Sequence, residues 1–261
     1  MGKMITAERR NKIAEHIIAN GSTKAGELAK MFDVTMETIR KDLIYLDQVG
    51  IVKKSHGGAQ STLEVMERPF EDRRMVGFEY KTAIAERALD FIEDNAVIYI
   101  DAGSTNSYLA KLLYLKKDLT IFTPSLSAAN ALSISKNKVY MSGGMLNATT
   151  MSLTGMGATG FLRNIKVDIA FLGSSGFKGH NGPGSIDFAD AEVKRVIIEN
   201  SDLSIVLAHS EKAKSTALVS YVSWREIDYL ITDCNIDEES EKKISEQTEI
   251  IKVQPAEKES V

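Results

Sequence analysis

The chain is short of the residues that staple, kink or anchor a protein. Cys234 is its one cysteine in 261 residues, so no disulfide can form within the chain, which agrees with a reducing compartment. Only four prolines occur, which leaves long stretches where helices and strands can run without interruption. No apolar run approaches the roughly 20 residues that cross a bilayer, and no membrane partner is expected. Charges fall within the first ten residues with no apolar core beside them, so export is not expected and a cytoplasmic location is. Neither a metal nor a cofactor is called for.

What is present suits a globular protein with one large domain, or a small one and a medium one. Apolar residues make up 43% of the chain, enough for a packed interior. The net charge of −4 does not point to nucleic acid, but its distribution does. Residues 1–60 hold 10 Lys and Arg against 7 Asp and Glu, a balance of +3, which leaves −7 for the rest. A mildly basic head on an acidic body fits a DNA-binding module joined to a sensor.

The head is organised around Met31 to Gln60. A helix is predicted over residues 5–19, with Ile13, Ile17 and Ile18 on one side, and a second over 24–31 that buries Leu28, Ala29 and Phe32. Asp33, between Phe32 and Val34, suits a tight turn. Thr35 then stands at an N-cap position, and Glu37 lies in the first turn of a third helix, where the dipole favours a carboxylate. Ile39, Leu43 and Leu46 form its buried stripe, which leaves Thr38, Arg40 and Lys41 outside it. After Gly50 come a short strand at Ile51-Val52, a charged tip at Lys53-Lys54, and His56-Gly57-Gly58, where glycine lets backbone approach another surface. A helix with cations near its start, followed by a basic hairpin, is a geometry that grips DNA.

Residues 61–80 rise in charge and lose periodicity, as a connector would, with room for a short helix. From Lys81 the pattern alternates. Helices are predicted over 81–94, from about 106 to 115, over 125–135 and over 188–200. Strands are predicted over 96–100, 120–123, 139–141, 169–172, 203–208 and 229–232. That order implies a mostly parallel sheet covered by helices on both faces, an α/β domain over 81–254, followed by a frayed tail at 255–261. Ligands of such sheets bind at the carboxyl ends of strands. Asp101-Ala102-Gly103-Ser104-Thr105-Asn106 stands there as a phosphate cradle, with Asp101 placed to accept sugar hydroxyls. Thr123, Gly143 and Gly144, the Gly173–Gly176 turn, His209 and Lys212 follow other strands. Lys194 and Arg195 lie on the helix that follows a glycine-rich loop, two residues after Glu192.

Three features together resemble the winged helix-turn-helix of the DeoR family of bacterial sugar-metabolism repressors. They are Thr35-x-x-Thr38-Ile39-Arg40-Lys41-Asp42-Leu43, the pair Arg9 and Ile13 upstream, and His56-Gly57-Gly58-Ala59. The likeness extends to Asp101-x-Gly103-Ser104-Thr105, Gly143-Gly144, Glu192-x-Lys194-Arg195 and Lys212, and so to nearly the whole chain. It implies a sensor domain similar in fold to ribose-5-phosphate isomerase and coenzyme A transferases, which senses phosphorylated sugars. Gly103, Ser104 and Thr105 would hold the phosphate, with Asp101, Lys194 and Lys212 near the sugar. Thr123, Gly143 and Gly144 would complete the effector site. Two positions depart from the family's pattern: Pro124 stands where Asn is usual, and His209 where Asp is usual.

The expected function is therefore transcriptional regulation, with a double-stranded DNA operator, a sugar-phosphate effector and a homo-oligomer as partners. Thr35, Met36, Thr38, Arg40 and Lys41 would face the major groove, and Lys53, Lys54 and His56 the backbone or minor groove. Two half-sites on DNA favour a dimer or tetramer. The competing reading is a phosphosugar isomerase with an accessory DNA module, which would use Glu192 as base and Lys194 as polarising cation. No catalysis is expected, since a binding site needs the same groups.

Overall fold

The computed structural model describes residues 6–20, 22–48, 52–55, 57–61 and 69–255. The chain divides into two compact units, residues 1–66 and 67–261.

In the first unit, helices α1 (Thr6–Asn20), α2 (Ala25–Met31) and α3 (Met36–Gln48) precede a hairpin of β2 (Val52–Ser55) and β3 (Gly58–Ser61), with β1 (Ser22–Lys24) between α1 and α2. The core joins Ile13 and Ile17 of α1, Leu28 of α2, Ile39, Leu43 and Leu46 of α3, and Val52 and Ala59 of the hairpin. The side chain of Ile18, expected in the same stripe, lies outside the described residues. Asp33 adopts a φ of 51°, the left-handed conformation that turns α2 into α3. Thr35 caps α3 as expected: its Oγ1 accepts from the Thr38 N–H at 3.2 Å. One element escaped the sequence reading. Residues 22–24, read as a break followed by the first residue of the second helix, form β1 and pair antiparallel with β3, giving the sheet order β1-β3-β2. Gly58 makes this possible, because a Cβ there would sit 2.2 Å from the Thr23 carbonyl oxygen.

The second unit is built on a seven-stranded sheet in which every neighbouring pair is parallel. Its first half comprises α4 (Phe70–Met75), α5 (Phe78–Leu89), β4 (Val97–Ile100), α6 (Ser104–Leu112), β5 (Thr120–Thr123), α7 (Leu126–Leu132) and β6 (Lys138–Met141). A hairpin of β7 (Met145–Asn147) and β8 (Ser152–Thr154) leads to α8 (Met156–Leu162), β9 (Val167–Leu172), β10 (Gly184–Ser185) and α9 (Phe188–Glu199). The chain ends with β11 (Ser201–Leu207), α10 (Glu211–Lys214), β12 (Val219–Ser220), β13 (Tyr229–Asp233), α11 (Glu238–Ser245) and β14 (Glu249–Val253). The sheet order is β14-β13-β11-β9-β4-β5-β6. Buried strands alternate between two cores. Ile98, Ile100, Ile169 and Phe171 meet α5, α6 and α7, while Tyr99, Ala170 and Leu172 face α8 and α9 on the other side.

The connector expected over 61–80 is shorter than that. Residues 62–68 lie outside the described residues, but α4 and the start of α5 are folded into the second unit. Phe70 is buried and its N–H donates to the Thr149 carbonyl at 3.0 Å. The run Glu71-Asp72-Arg73-Arg74 forms the body of α4, the short helix for which the stretch had room, with Glu71 and Asp72 exposed. Gly77, with a φ of 62°, separates α4 from α5.

Strand order sets the position of a site. From β4 the chain first moves outward to β5 and β6, then returns to the other side of β4 for β9, β11, β13 and β14. The carboxyl ends of β4 and β9 therefore feed connections that diverge, and a crevice opens between them.

Candidate functional site

The cavity in that crevice has an empty volume of about 500 Å³, counting its mouth. Its walls come from the ends of β4, β9 and β11, with α4 and α9 closing the sides. Of the effector residues expected from sequence, Asp101, Gly103, Ser104, Thr105, Lys194 and Lys212 line it.

Three charged groups sit at its centre. Lys194 Nζ lies 3.0 Å from Asp101 and 2.6 Å from Asp190, and all three side chains are largely buried. Burial alone would strip the lysine's charge, but Asp101 and Asp190 outweigh it and raise the ammonium's pKa. Burial likewise raises Asp101, against the pull of Lys194. Asp101 Oδ2 also accepts the Gly173 N–H at 2.8 Å, which ties the end of β4 to the end of β9. Ser185 Oγ donates to Asp190 at 2.6 Å. Two carboxylates against one ammonium leave a negative centre whose remaining lone pairs suit ligand hydroxyls.

Beside this centre, α6 begins at Ser104, so its first N–H groups have no helical acceptor and point at the cavity. Asn106 adds a specific signal. Its side chain is fully buried at the cavity wall, yet neither Nδ2 nor Oδ1 has a hydrogen-bond partner. A buried amide with both ends unmatched costs stability unless something in the cavity satisfies it.

The other expected residues stand elsewhere. Thr123 is the buried last residue of β5, where its hydroxyl donates to the Ile100 carbonyl at 2.6 Å and accepts from the Ser125 N–H in the following turn at 3.1 Å. It braces the start of α7 and does not line the cavity. Gly143 and Gly144 do not line it either. Gly144 has a φ of 110°, and a Cβ on it would meet the Thr154 carbonyl at 2.4 Å, so Gly144 serves the packing of the β7–β8 hairpin, while a Cβ on Gly143 would meet nothing within 4 Å. Pro124 belongs to the same turn, its carbonyl accepting from the Leu153 N–H at 2.9 Å, so this departure from the family's pattern falls outside the cavity. The departure at His209 falls inside it.

Glu192, the base of the isomerase reading, faces away. It is exposed and meets Arg195 at 3.4 Å, because residues two apart on a helix point to different sides. The helix partner of Lys194 is Asp190, four residues before it, which sequence reasoning passed over although the spacing was there to see. Arg73 was missed as well, and Asn106 was placed in the cradle without a role of its own. Arg73 lies in the stretch read as linker, and Asn106, the last residue of the expected cradle, is the third residue of α6.

In the first unit, Asp42 of the recognition motif is the anchor. It is 1% exposed and receives Arg9 at 2.7 Å and Arg10 at 2.9 Å, which locks α3 to α1. Thr35, Met36, Arg40 and Lys41 are exposed, and Thr38 is half-buried against the Thr35 hydroxyl. Lys41 pairs with Glu37 at 2.9 Å on the surface. An exposed pair of this kind adds little to stability. Lys53 and Lys54 project from β2 into solvent. His56, expected at the hairpin tip, lies outside the described residues.

Comparison with known proteins agrees with both halves. Residues 9–65 match the DeoR-like helix-turn-helix domain, and residues 78–234 match the DeoR C terminal sensor domain. An HTH-type transcriptional regulator of Bacillus subtilis, YulB, is 35% identical over 94% of this chain and 95% of its own. The glycerol-3-phosphate regulon repressor of Escherichia coli is 29% identical over 88% of this chain and 92% of its own. Among solved structures, a D-ribose-5-phosphate isomerase in complex with phospho-erythronic acid shares 22% identity over 51% of this chain and 52% of its own, with a TM-score of 0.38. The two family matches and the full-length relatives leave one conclusion: the chain belongs to the DeoR family of helix-turn-helix transcriptional regulators.

Proposed function

We propose that this regulator represses a carbohydrate-metabolism operon and is controlled by a phosphorylated sugar held in the cavity of the second unit. The observation that carries this reading is the Asn106 amide, buried and unmatched beside the open N-terminus of α6. A phosphate there takes the N–H groups of Ser104 and Thr105 and their hydroxyls, with Gly103 keeping the approach clear of side chain. The Asp101–Lys194–Asp190 centre then reads hydroxyls along the sugar.

On the DNA side, Thr35, Met36, Thr38, Arg40 and Lys41 enter the major groove, while Lys53, Lys54 and His56 hold backbone or minor groove. A cytoplasmic homo-oligomer suits two half-sites. An exposed apolar strip along the sheet edge, with Tyr140 and Met141 of β6 beside Met145 and Leu146 of β7, supports a second copy as its cover. Sedimentation of Met145→Glu against the parent chain tests that cover.

The reading of the cavity is tested by thermal melting with sugar phosphates and the matching free sugars. A ligand at a hundred times its dissociation constant adds about 2.7 kcal/mol, a rise of about 5–11 °C for a unit of this size. The rise should need the phosphate and disappear in the double variant Ser104→Ala, Thr105→Ala. Equal rises with free sugars would refute the phosphate cradle.

A further inference from the structure

The β7–β8 hairpin stands apart from the seven-stranded sheet, as two strands of three residues each, and all of β7 is at least partly exposed. Two strands with no third beside them are marginal by themselves, so the contacts at the turn decide where the hairpin lies. That turn ends on Met151 at a φ of 54°, a left-handed conformation that is costly for a side chain of this size. Thr150 of the turn lines the cavity, and its hydroxyl shares a hydrogen with Ser152 Oγ at 2.6 Å. The Thr149 carbonyl next to it accepts from the Phe70 N–H at 3.0 Å, at the start of α4. One turn therefore touches both the cavity and the first described helix after the connector.

Asn147 holds this turn from both ends of its amide. Its Oδ1 accepts from the Thr149 N–H at 3.0 Å and the Thr150 N–H at 3.3 Å, and its Nδ2 donates to Asp187 Oδ2 at 3.1 Å. Asp187 caps α9 with its other oxygen, which accepts from the Ala189 N–H at 2.7 Å and the Asp190 N–H at 3.2 Å. Its own N–H donates to Ser185 Oγ at 3.1 Å, and that hydroxyl donates to Asp190, the partner of Lys194. A line of hydrogen bonds thus runs from the Asp101–Lys194–Asp190 centre through Ser185, Asp187, Asn147 and Thr149 to Phe70. Asn147 is the joint in it between α9 and the hairpin.

We propose that Asn147 is a positioning residue through which occupancy of the cavity sets the place of α4. A ligand held by the charged centre and against Thr150 makes contacts with one position of the hairpin that it lacks with another, and so selects between them. The bond between Thr149 and Phe70 passes that position to the start of α4. The far end of α4 is pinned, because Lys81 donates to the Arg73 carbonyl and the Tyr108 hydroxyl to the Arg74 carbonyl. A shift at Phe70 therefore tilts the helix about that end. This rests on the effector reading above and names the route by which occupancy leaves the cavity.

The test is a thermodynamic cycle on the intact chain, with a duplex selected by that chain from random sequences. Ribose 5-phosphate, glucose 6-phosphate, fructose 6-phosphate and fructose 1-phosphate are the probes, and the one that raises the melting temperature most is carried forward. In the parent chain a saturating probe should change duplex affinity by about fivefold or more. Asn147→Ala should cut that response below about twofold, while probe affinity and the duplex affinity of the empty chain stay within about threefold of the parent. Asn147→Asp sets a carboxylate against Asp187 and should also lose the response. Adding Asp187→Asn exchanges donor and acceptor across the same contact, keeps a good cap on α9, and should restore it. Rescue of the response, in chains whose two separate affinities never changed, is a result that a merely structural role would not give. A full response in Asn147→Ala, or a loss in Asn147→Asp that Asp187→Asn does not repair, would overturn this inference and leave the effector reading standing. Failure of every probe to bind the parent chain or alter its duplex affinity would defeat both.

Discussion

Asp190 precedes Lys194 by one turn of α9 and takes its ammonium at 2.6 Å, while Asp101 reaches the same nitrogen at 3.0 Å from the end of β4. One helix and one strand end are thus joined through a buried cation. Lys194→Met would leave two buried carboxylates facing each other. It should cost roughly 3–5 kcal/mol, the usual result of breaking a buried ion pair. Glu192→Gln, two residues away on the exposed side, should stay within about 0.5 kcal/mol. Urea denaturation of the two variants checks the contrast.

In the DNA-binding unit, structure and recognition should separate cleanly. Asp42→Ala leaves Arg9 and Arg10 without their buried partner and should lower the melting temperature of that unit. Arg40→Ala and Lys41→Ala remove exposed side chains and should leave the melt unchanged while weakening DNA binding. If Arg40 reads a base, its loss should cost about 1–3 kcal/mol and relax preference at one position. If Lys41 holds a phosphate, its loss should weaken all sequences evenly and reduce the salt dependence. Fluorescence anisotropy on labelled duplexes at several salt concentrations distinguishes the two.

Acidity should act through His209. Its pKa in the folded chain is held near 3, mainly by burial and then by Lys81 and Lys212, whereas the unfolded chain takes up its proton near 6.5. Between those values the unfolded state binds the extra proton, so this residue lowers stability as pH falls from about 6.5 toward 3. His209→Asn should flatten that part of the profile. Lys81 acts at the other end. With a folded pKa of about 8 against 10.5, it makes stability rise as pH climbs between those values, and Lys81→Met should remove the rise. Denaturation midpoints across pH measure both.

The hairpin should be intolerant at Gly58. A Cβ there would press on the Thr23 carbonyl at 2.2 Å, so Gly58→Ala should part β3 from β1 and lower the melt of the first unit. Gly57→Ala is the milder case, because a side chain there meets nothing within 4 Å and pays only for a φ of 96°.

What could be read from the sequence was whatever repeats along a local period. The stripe Ile39, Leu43, Leu46 and the cap at Thr35 placed α3, and the apolar runs placed β4, β5, β9, β11 and β13. Elements that owe their existence to distant partners were not legible. β1 is three residues held by β3. β14 was passed over in the charged C-terminal stretch, and it is a strand because β13 lies beside it in parallel register. α11 carries a single buried side chain, Ile244, and so shows no stripe. The cavity followed the same rule. The run Asp101 to Asn106 was visible because it is contiguous, and Lys194 and Lys212 through resemblance. Asp190 and Arg73 join the site only once α9 and α4 pack at the strand ends, and Thr123 and Gly144 leave it because their partners are other turns.

The two units should work as one switch, which the coupling of ligand to DNA reads out. The operator is first selected from random duplexes by the intact chain. Its affinity is then titrated in the presence of the sugar phosphate that raises the melting temperature. Binding at one site must change affinity at the other by the same factor in both directions. Operator affinity should change by about fivefold or more, and the change should be absent in Ser104→Ala with Thr105→Ala. An operator affinity that stays constant while the cavity is saturated would contradict it.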